Sequence, residues 1–301
     1  MMSTVSDPVS GPTGPVFTAP VNLSPSRVAS FTSCPLAFRF SSIERLPEPP
    51  SLPATRGSMV HRALELFFLN PPPGRTRDAL GAATDQMFDE YQTHDDLVGL
   101  DLDERALEQL RRDCTALADN YLEMEDPASV NEIGLEIRLE ATIDGIGLRG
   151  IIDRLDRTAE GELVVTDYKT GRAPGPNYER ASLAGVSFYA LLCEQVLGQR
   201  PSALRLMYLK SKQTITTEPT DQSLRFLMTR TKAVFDAIGR ACSTGDFRAR
   251  PSGLCRSCAF QRWCPEFGGD PDHASIELLG ADGTVTATPA PSTEPITPST
   301  P

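Results

Sequence analysis

Three consecutive stretches between residues 132 and 169 alternate apolar and polar residues, which restricts the fold of this chain to one that contains a sheet. In the first stretch, EIGLEIRLEAT, the apolar residues Leu135, Ile137 and Leu139 recur at every second position, which is the period of a half-buried β-strand. The stretches IGLRGIIDRLDRT and GELVVTDYKTG follow after the turn-prone segments DG and AEG. The sequence therefore predicts three antiparallel strands.

Helical patterns precede and follow these strands. His61, Leu64 and Phe68 share one face of a helix predicted at residues 56–69, and the segment PPPG ends it. Further helices are predicted at about 75–91, 103–124, 178–197 and 221–242, and further strands at ALRLMYLK and QTITT. We expect an α/β fold in which a central sheet is flanked by helices and preceded by a helical part.

Both ends of the chain are rich in Pro, Ser and Thr, so we expect residues 1–20 and 268–301 to be disordered and residues 21–267 to form one domain. The net charge is −11, but the C-terminal tail carries acids and no Lys or Arg. Without both tails, 29 basic residues face 34 acidic ones, which permits a local basic groove.

Targeting and motor motifs are not found in the sequence. No run reaches the roughly 18 apolar residues of a membrane span, and the first 20 residues lack the regions of a signal peptide. We therefore expect a cytoplasmic protein without a membrane partner. No phosphate-binding loop of the type GxxxxGK[ST] is present, so any helicase would be a separate partner.

Two acids and a lysine stand near the ends of the second and third predicted strands. Asp153 shares a strand face with Ile151 and Leu155, and the alternation in VVTDYK puts Asp167 and Lys169 on one face. One interpretation is a structural ion pair, since buried charges also occur in such networks. The other is an active site, because converging carboxylates repel each other unless a cation lies between them.

These motifs resemble those of a known family. GIIDRLDR followed by VVTDYKTG, with GSMVHRALELFF upstream, resembles the PD-(D/E)XK nuclease superfamily in its RecB-like exonuclease branch. The resemblance implies a restriction-endonuclease-like core over nearly all of residues 23–267. It also implies that Asp153, Asp167, His61 and the backbone carbonyl of Tyr168 bind one or two Mg²⁺ or Mn²⁺ ions, and that Lys169 orients or deprotonates the attacking water.

The residue types suit that chemistry independently. Carboxylate-held metal ions can both activate a water and stabilise charge on phosphoryl oxygens, as phosphodiester hydrolysis requires. Oxygen ligands favour Mg²⁺ or Mn²⁺, and one imidazole shifts the preference toward Mn²⁺.

The helix predicted at 178–197 departs from the family pattern. The branch carries a Gln four residues before a Tyr that organises the site and contacts DNA, whereas here Gly185 precedes Tyr189. Tyr189 either keeps this role or belongs to the apolar core. Other candidates for DNA contact are basic residues, each of which could equally be a solvated surface charge; they are Arg172, Lys210, Lys212, Arg248 and Arg250.

The cysteines near the C-terminal end indicate a metal site. Cys255, Cys258 and Cys264 form a C-x2-C-x5-C cluster, whose spacing in a cytosolic protein favours metal binding over disulfides. Iron-sulfur nucleases of the same branch, including AddB-type enzymes, place one cysteine before the nuclease core and three after it. That resemblance makes Cys34 the fourth ligand of a [4Fe-4S] cluster that joins the chain ends, with zinc as the alternative occupant.

Together these features predict a metal-dependent DNA nuclease, an exonuclease acting on single-stranded ends in repair or recombination. Two alternatives stay open. The chain could be a DNA-binding iron-sulfur module with weak or no cleavage, or a zinc-stapled interaction protein.

Overall fold

The computed structural model describes residues 17–175 and 179–279, which form parts of two compact units. The larger unit comprises residues 22–26 and 48–230 and contains the predicted strands. Of the described residues, the smaller unit comprises 17–21, 27–47 and 231–279.

The larger unit is built on a six-stranded sheet. The strands are β1 (Asn22–Leu23), β2 (Glu132–Ile143), β3 (Ile146–Arg157), β4 (Leu163–Lys169), β5 (Ala203–Tyr208) and β6 (Gln213–Thr217). Their order is β1-β3-β4-β5-β6, with β2 also paired to β3. The predicted antiparallel pairing of β2, β3 and β4 is confirmed, while β4 and β5 run parallel. The sheet is therefore mixed, as the α/β prediction requires.

Nine α-helices are found in the described residues: α1 (Pro25–Ser33), α2 (Pro35–Phe38), α3 (Leu52–Phe68), α4 (Arg77–Tyr91), α5 (Asp95–Val98), α6 (Glu104–Tyr121), α7 (Glu179–Leu197), α8 (Asp221–Thr244) and α9 (Ala274–Leu279). The predicted helix starts are reinforced by side-chain caps. Asp103 Oδ1 accepts from the Ala106 N–H at 2.7 Å at the start of α6, and Thr76 caps α4 in the same way. None of the described helices is long and apolar enough to cross a membrane.

The hairpin of β2 and β3 has a turn that sets its register. Asp144 and Gly145 both have positive φ, 50° and 78°, as a two-residue type I′ turn requires. Ile143 is therefore paired with Ile146, and the ladder continues through Ile137 with Ile152. Counting on by one residue puts Glu136 opposite Asp153.

The main core lies where α3, α4 and α6 pack on the sheet. These helices contribute large buried side chains, and β4 and β5 contribute Tyr168 and Met207. The helical members include Met59, Leu64, Phe67, Met87, Leu117 and Tyr121. This packing holds α3, and with it His61, against the end of β4.

The smaller unit contains α2, a π-helix at Arg39–Ile43 and several short turns that carry cysteines. Arg39 is buried and lies 2.9 Å from both Glu44 and Asp272, and the Phe17 ring packs edge-on against Phe247. Phe17 and α9, which lie outside the predicted 21–267, belong to this smaller unit and bury apolar side chains in it. The rest of the predicted tails, 1–16 and 280–301, lies outside the described residues.

Candidate metal centre and active site

Three ligand atoms converge at the point where α3 meets β2 and β3. One ligand atom from each of His61, Glu136 and Asp153 lies within 4.8 Å of the other two. All three residues are half-buried. We call these three residues the metal group.

The main chain of Tyr168 connects two members of the metal group. Its N–H donates to Asp153 Oδ2 at 2.7 Å, and its carbonyl oxygen lies 2.9 Å from His61 Nε2. His61 Nδ1 is 3.5 Å from the same Asp153 oxygen. The predicted candidates His61, Asp153 and the Tyr168 carbonyl are therefore brought together.

Glu136 is a site residue that the sequence analysis missed. Burial and the charge of Asp153 raise the pKa of Glu136 from 4.5 to about 7, partly offset by His61. Its backbone has φ 46°, a conformation that a non-glycine residue rarely adopts and that often marks a functional position. The hairpin register counted from Asp144 and Gly145 is the signal that could have identified it.

Asp167, which the sequence predicts to be a metal ligand, is paired with Lys169 next to the metal group. Lys169 Nζ lies 2.5 Å from Asp167 Oδ2. Burial and the charge of Asp153 raise the pKa of Asp167 to about 6, while Lys169 counteracts them. Burial lowers the pKa of Lys169, but the charge of Asp167 outweighs it and the pKa is raised, which keeps the ammonium charged at neutral pH.

The electrostatics of the metal group fit a cation. Burial lowers the pKa of His61, yet the hydrogen bond and charge of Asp153, with the charges of Asp167 and Glu136, raise it to about 9. Without a metal ion, protons bound to His61 and Glu136 therefore offset the negative charge of the neighbouring carboxylates. A divalent ion would supply that charge instead, and imidazole with carboxylate and carbonyl oxygens is a donor set that suits Mg²⁺ or Mn²⁺.

Tyr189 of α7 lies close to this centre. Burial, followed by the charges of Asp167, Asp153 and Glu136, raises the pKa of its phenol and keeps it neutral. A Cβ on Gly150 would come within 2.8 Å of the Tyr189 ring, so a glycine is needed there for the ring to approach. A Cβ on Gly185 would meet nothing within 4 Å, so the position of the missing Gln is open.

The basic candidates for DNA contact fall into two sets. Lys212 pairs with Glu123 at 2.6 Å, Arg248 pairs with Asp246, and Arg250 donates to the Thr32 carbonyl. Arg172 and Lys210 have no partner among the described residues.

The four predicted cysteine ligands line one cavity of the smaller unit. All four are free thiols, and three accept N–H donors: Cys255 Sγ lies 3.3 Å from the Ser252 N–H, and Cys258 and Cys264 accept from the backbone of Phe260 and Glu266. Burial raises the pKa of the Cys258 and Cys264 thiols, and these backbone N–H donors partly offset that effect. The remaining cysteines, Cys114, Cys193 and Cys242, are buried, as expected for small apolar residues.

A family profile described as the PD-(D/E)XK nuclease superfamily matches residues 22–265. The match covers most of the chain and includes every member of the metal group as well as Asp167 and Lys169. The chain belongs to the PD-(D/E)XK nuclease superfamily. The mixed sheet flanked by helices is consistent with the restriction-endonuclease-like fold predicted from the sequence.

Two individual proteins are also similar. The Gene 69 protein of Mycobacterium phage L5 is 29% identical over 151 residues, which cover 49% of this chain and 48% of that protein. The match therefore spans about half the length of this curated relative. A crystal structure of a candidate exonuclease from Eubacterium rectale has 11% sequence identity and a TM-score of 0.48, covering 80% of this chain and 88% of the other.

Proposed function

We propose that this protein is a divalent-metal-dependent nuclease that hydrolyses phosphodiester bonds of DNA. The observation that carries the proposal is the metal group His61, Glu136 and Asp153 beside the ion pair of Asp167 and Lys169. A structural ion pair alone would not explain three further ligands that converge next to it. A bound Mg²⁺ or Mn²⁺ supplies an activated water and stabilises phosphoryl charge.

The chain's own residues divide the remaining tasks. Lys169 lies next to the metal group, where its ammonium orients the water and stabilises negative charge. Asp167 holds the ammonium in place at 2.5 Å. Arg172 and Lys210, which pair with no residue in the described part of the chain, contact backbone phosphates, and such contacts fix the strand without reading its sequence.

By its resemblance to the RecB-like branch, the enzyme acts as an exonuclease on single-stranded DNA ends in repair or recombination. Any helicase that exposes those ends is a separate partner. The activity belongs in the cytoplasm, where free thiols stay reduced.

A cleavage assay tests this proposal. Linear single-stranded, linear duplex and circular single-stranded DNA are incubated with Mg²⁺, Mn²⁺ or EDTA. We expect cleavage only with metal, degradation of the linear single strand, and an intact circle. Asp153→Asn should be inactive, and the matched control Glu140→Gln, an exposed change on the same hairpin, should be fully active. Cut circles would refute the exonuclease mode, and cleavage in EDTA would refute metal dependence.

We further propose that Cys34, Cys255, Cys258 and Cys264 hold a [4Fe-4S] cluster. The C-x2-C-x5-C spacing with a distant fourth cysteine departs from the paired C-x2-C spacing of zinc ribbons, which supports the cluster over zinc. The backbone N–H donors to sulfur also suit a cluster.

Iron analysis tests the cluster. Anaerobically purified protein should contain about four irons and absorb broadly near ~400 nm, as thiolate-bound clusters do. Cys34→Ala should lose both properties, whereas the control Cys114→Ala, which removes a thiol far from the cavity residues in sequence, should keep them. One zinc per chain in a colourless protein would overturn the cluster and leave the nuclease proposal intact.

A DNA-binding protein with weak cleavage is the second candidate. The open space at Gly185 favours this candidate, because the Gln side chain of the family pattern would fit there and is missing. DNA binding without metal-dependent cleavage in the assay above would establish this candidate instead.

A further inference from the structure

A fully buried arginine follows directly after a member of the metal group. Arg154, next to Asp153 in β3, is 0% exposed. Its Nη1 donates to Glu125 Oε1 at 2.5 Å, and its Nε lies 2.8 Å from Asp156 Oδ1. A buried guanidinium is strongly unfavourable unless it is paired, and these two carboxylates provide the pairing.

The same guanidinium binds the side chain of Tyr168. Arg154 Nη1 donates to the Tyr168 hydroxyl at 2.8 Å, and Tyr168 is only 3% exposed. Tyr168 stands between Asp167 and Lys169, and its main chain contacts Asp153 and His61. The phenol therefore lies in the buried network while the backbone of the same residue forms part of the site.

Arg154 and Tyr168 meet where the pairing between β3 and β4 has ended. The pairing of β3 with β4 ends at Arg154 opposite Thr166, so the last residues of β4 have no ladder partner on β3. These last residues are Asp167, Tyr168 and Lys169, which pair only with β5 on their other side. Among the described residues, two hydrogen bonds hold the unpaired end of β4 to β3. The Tyr168 N–H donates to Asp153, and the Arg154 guanidinium donates to the Tyr168 hydroxyl.

We propose that Arg154 is a positioning residue that acts through Tyr168 to set the distance between Asp153 and the end of β4. The hydrogen bond from Arg154 fixes the position of the Tyr168 phenol. It thereby also fixes the main-chain N–H and carbonyl of Tyr168, which contact Asp153 and His61. Partners outside the ligand set commonly control metal affinity in this way. The inference rests on the proposed metal binding by His61, Glu136 and Asp153.

Two matched tyrosine variants test this role. Tyr168→Phe removes one hydroxyl bound by Arg154 and leaves the ring. Tyr121→Phe removes a second hydroxyl of the same network, which lies 3.3 Å from Arg154 Nη1 and donates to Glu125 at 2.7 Å. Tyr121 lies in α6 and does not contact the metal group through its main chain in any described hydrogen bond. A purely structural network would respond alike to both changes.

Mn²⁺ affinity is measured by titration calorimetry without DNA, and melting temperature is measured in EDTA. We expect both variants to melt somewhat lower, and only Tyr168→Phe to bind Mn²⁺ roughly tenfold to a hundredfold more weakly. Its cleavage should recover at high Mn²⁺ concentration. If Tyr168→Phe fails to fold, Arg154→Lys, which keeps the charge but not the fork of donors, should show the same loss of affinity.

Wild-type Mn²⁺ affinity in Tyr168→Phe, or an equal loss in both tyrosine variants, would overturn the positioning role while leaving the proposed function in place. A wild type that binds no Mn²⁺ would overturn the proposed function and this inference with it.

Discussion

Replacing Glu136 by Gln should make the protein more stable than wild type without metal and less stable than wild type with bound metal. Gln keeps the shape of the side chain and removes its charge. The pKa rise from 4.5 to about 7 means that the folded state holds the Glu136 carboxylate unfavourably. At about 1.4 kcal/mol for each tenfold change in proton affinity, this rise corresponds to an upper bound between about 3 and 4 kcal/mol, which solvent screening of the half-buried side chain reduces.

The size of this stabilisation in the metal-free protein depends on pH. A carboxyl group with a raised pKa in the folded state causes no penalty below about pH 4.5, and the penalty grows until about pH 7. Glu136→Gln should therefore raise the melting temperature in EDTA by several degrees at pH 8 and hardly at all near pH 4.5. Saturating Mn²⁺ should reverse the order at pH 8, because the variant lacks one ligand.

Thermal melts at both pH values, with EDTA and with Mn²⁺, measure these effects. Glu140→Gln is the matched control, since Glu140 is exposed on the same strand, and its change should stay within about 0.5 kcal/mol. Glu136 would not carry an unfavourable charge in the metal-free protein if Glu136→Gln melted lower than wild type in EDTA at pH 8. It would not be a metal ligand if the variant gained as much stability from Mn²⁺ as wild type does.

Three further predictions concern the site. Lys169→Ala should leave Mn²⁺ binding largely intact and lower cleavage by roughly two or more orders of magnitude, since a charge acting on the transition state is lost; equal cleavage rates would contradict it. Mn²⁺ affinity should rise with pH between about 6 and 9, because the metal displaces protons from His61 and Glu136, whose pKa values are about 9 and 7. Calorimetry in buffers of different ionisation enthalpy should detect the released protons. A pH-independent affinity would contradict this prediction. Gly185→Gln should fold normally and bind single-stranded DNA more tightly in a filter-binding assay, because the added Cβ meets open space; a misfolded variant would show that the position is not open.

Much of the fold was predictable because its elements carry strong periodic signals. The strands that bear Asp153 and Asp167, and the helix that bears His61, were predicted close to their observed bounds. Elements without such a period were missed, among them the two-residue β1 and the π-helix at Arg39–Ile43. Short segments of this kind form only because the surrounding core supports them.

Some residues at the site were not predicted, because their roles depend on contacts between separate elements. Alternation alone makes Glu136 an ordinary solvent-facing residue of β2, and only its register opposite Asp153 reveals its place. Arg154 was overlooked because its partner Glu125 is distant in sequence. For the same reason the pairing of the DNA-contact candidate Lys212 with Glu123 was not predicted. Contacts between elements decide whether a charged side chain is buried, paired or free, and a strand pattern does not contain them.

The most direct measurement of the central claim is an anomalous difference map from a crystal grown with Mn²⁺. If these three residues hold the metal, the map should show a strong peak bonded to a nitrogen of His61 and to carboxylate oxygens of Glu136 and Asp153, and no such peak in Asp153→Asn. A Mn²⁺ peak elsewhere, with His61, Glu136 and Asp153 still held together by hydrogen bonds and protons, would contradict it.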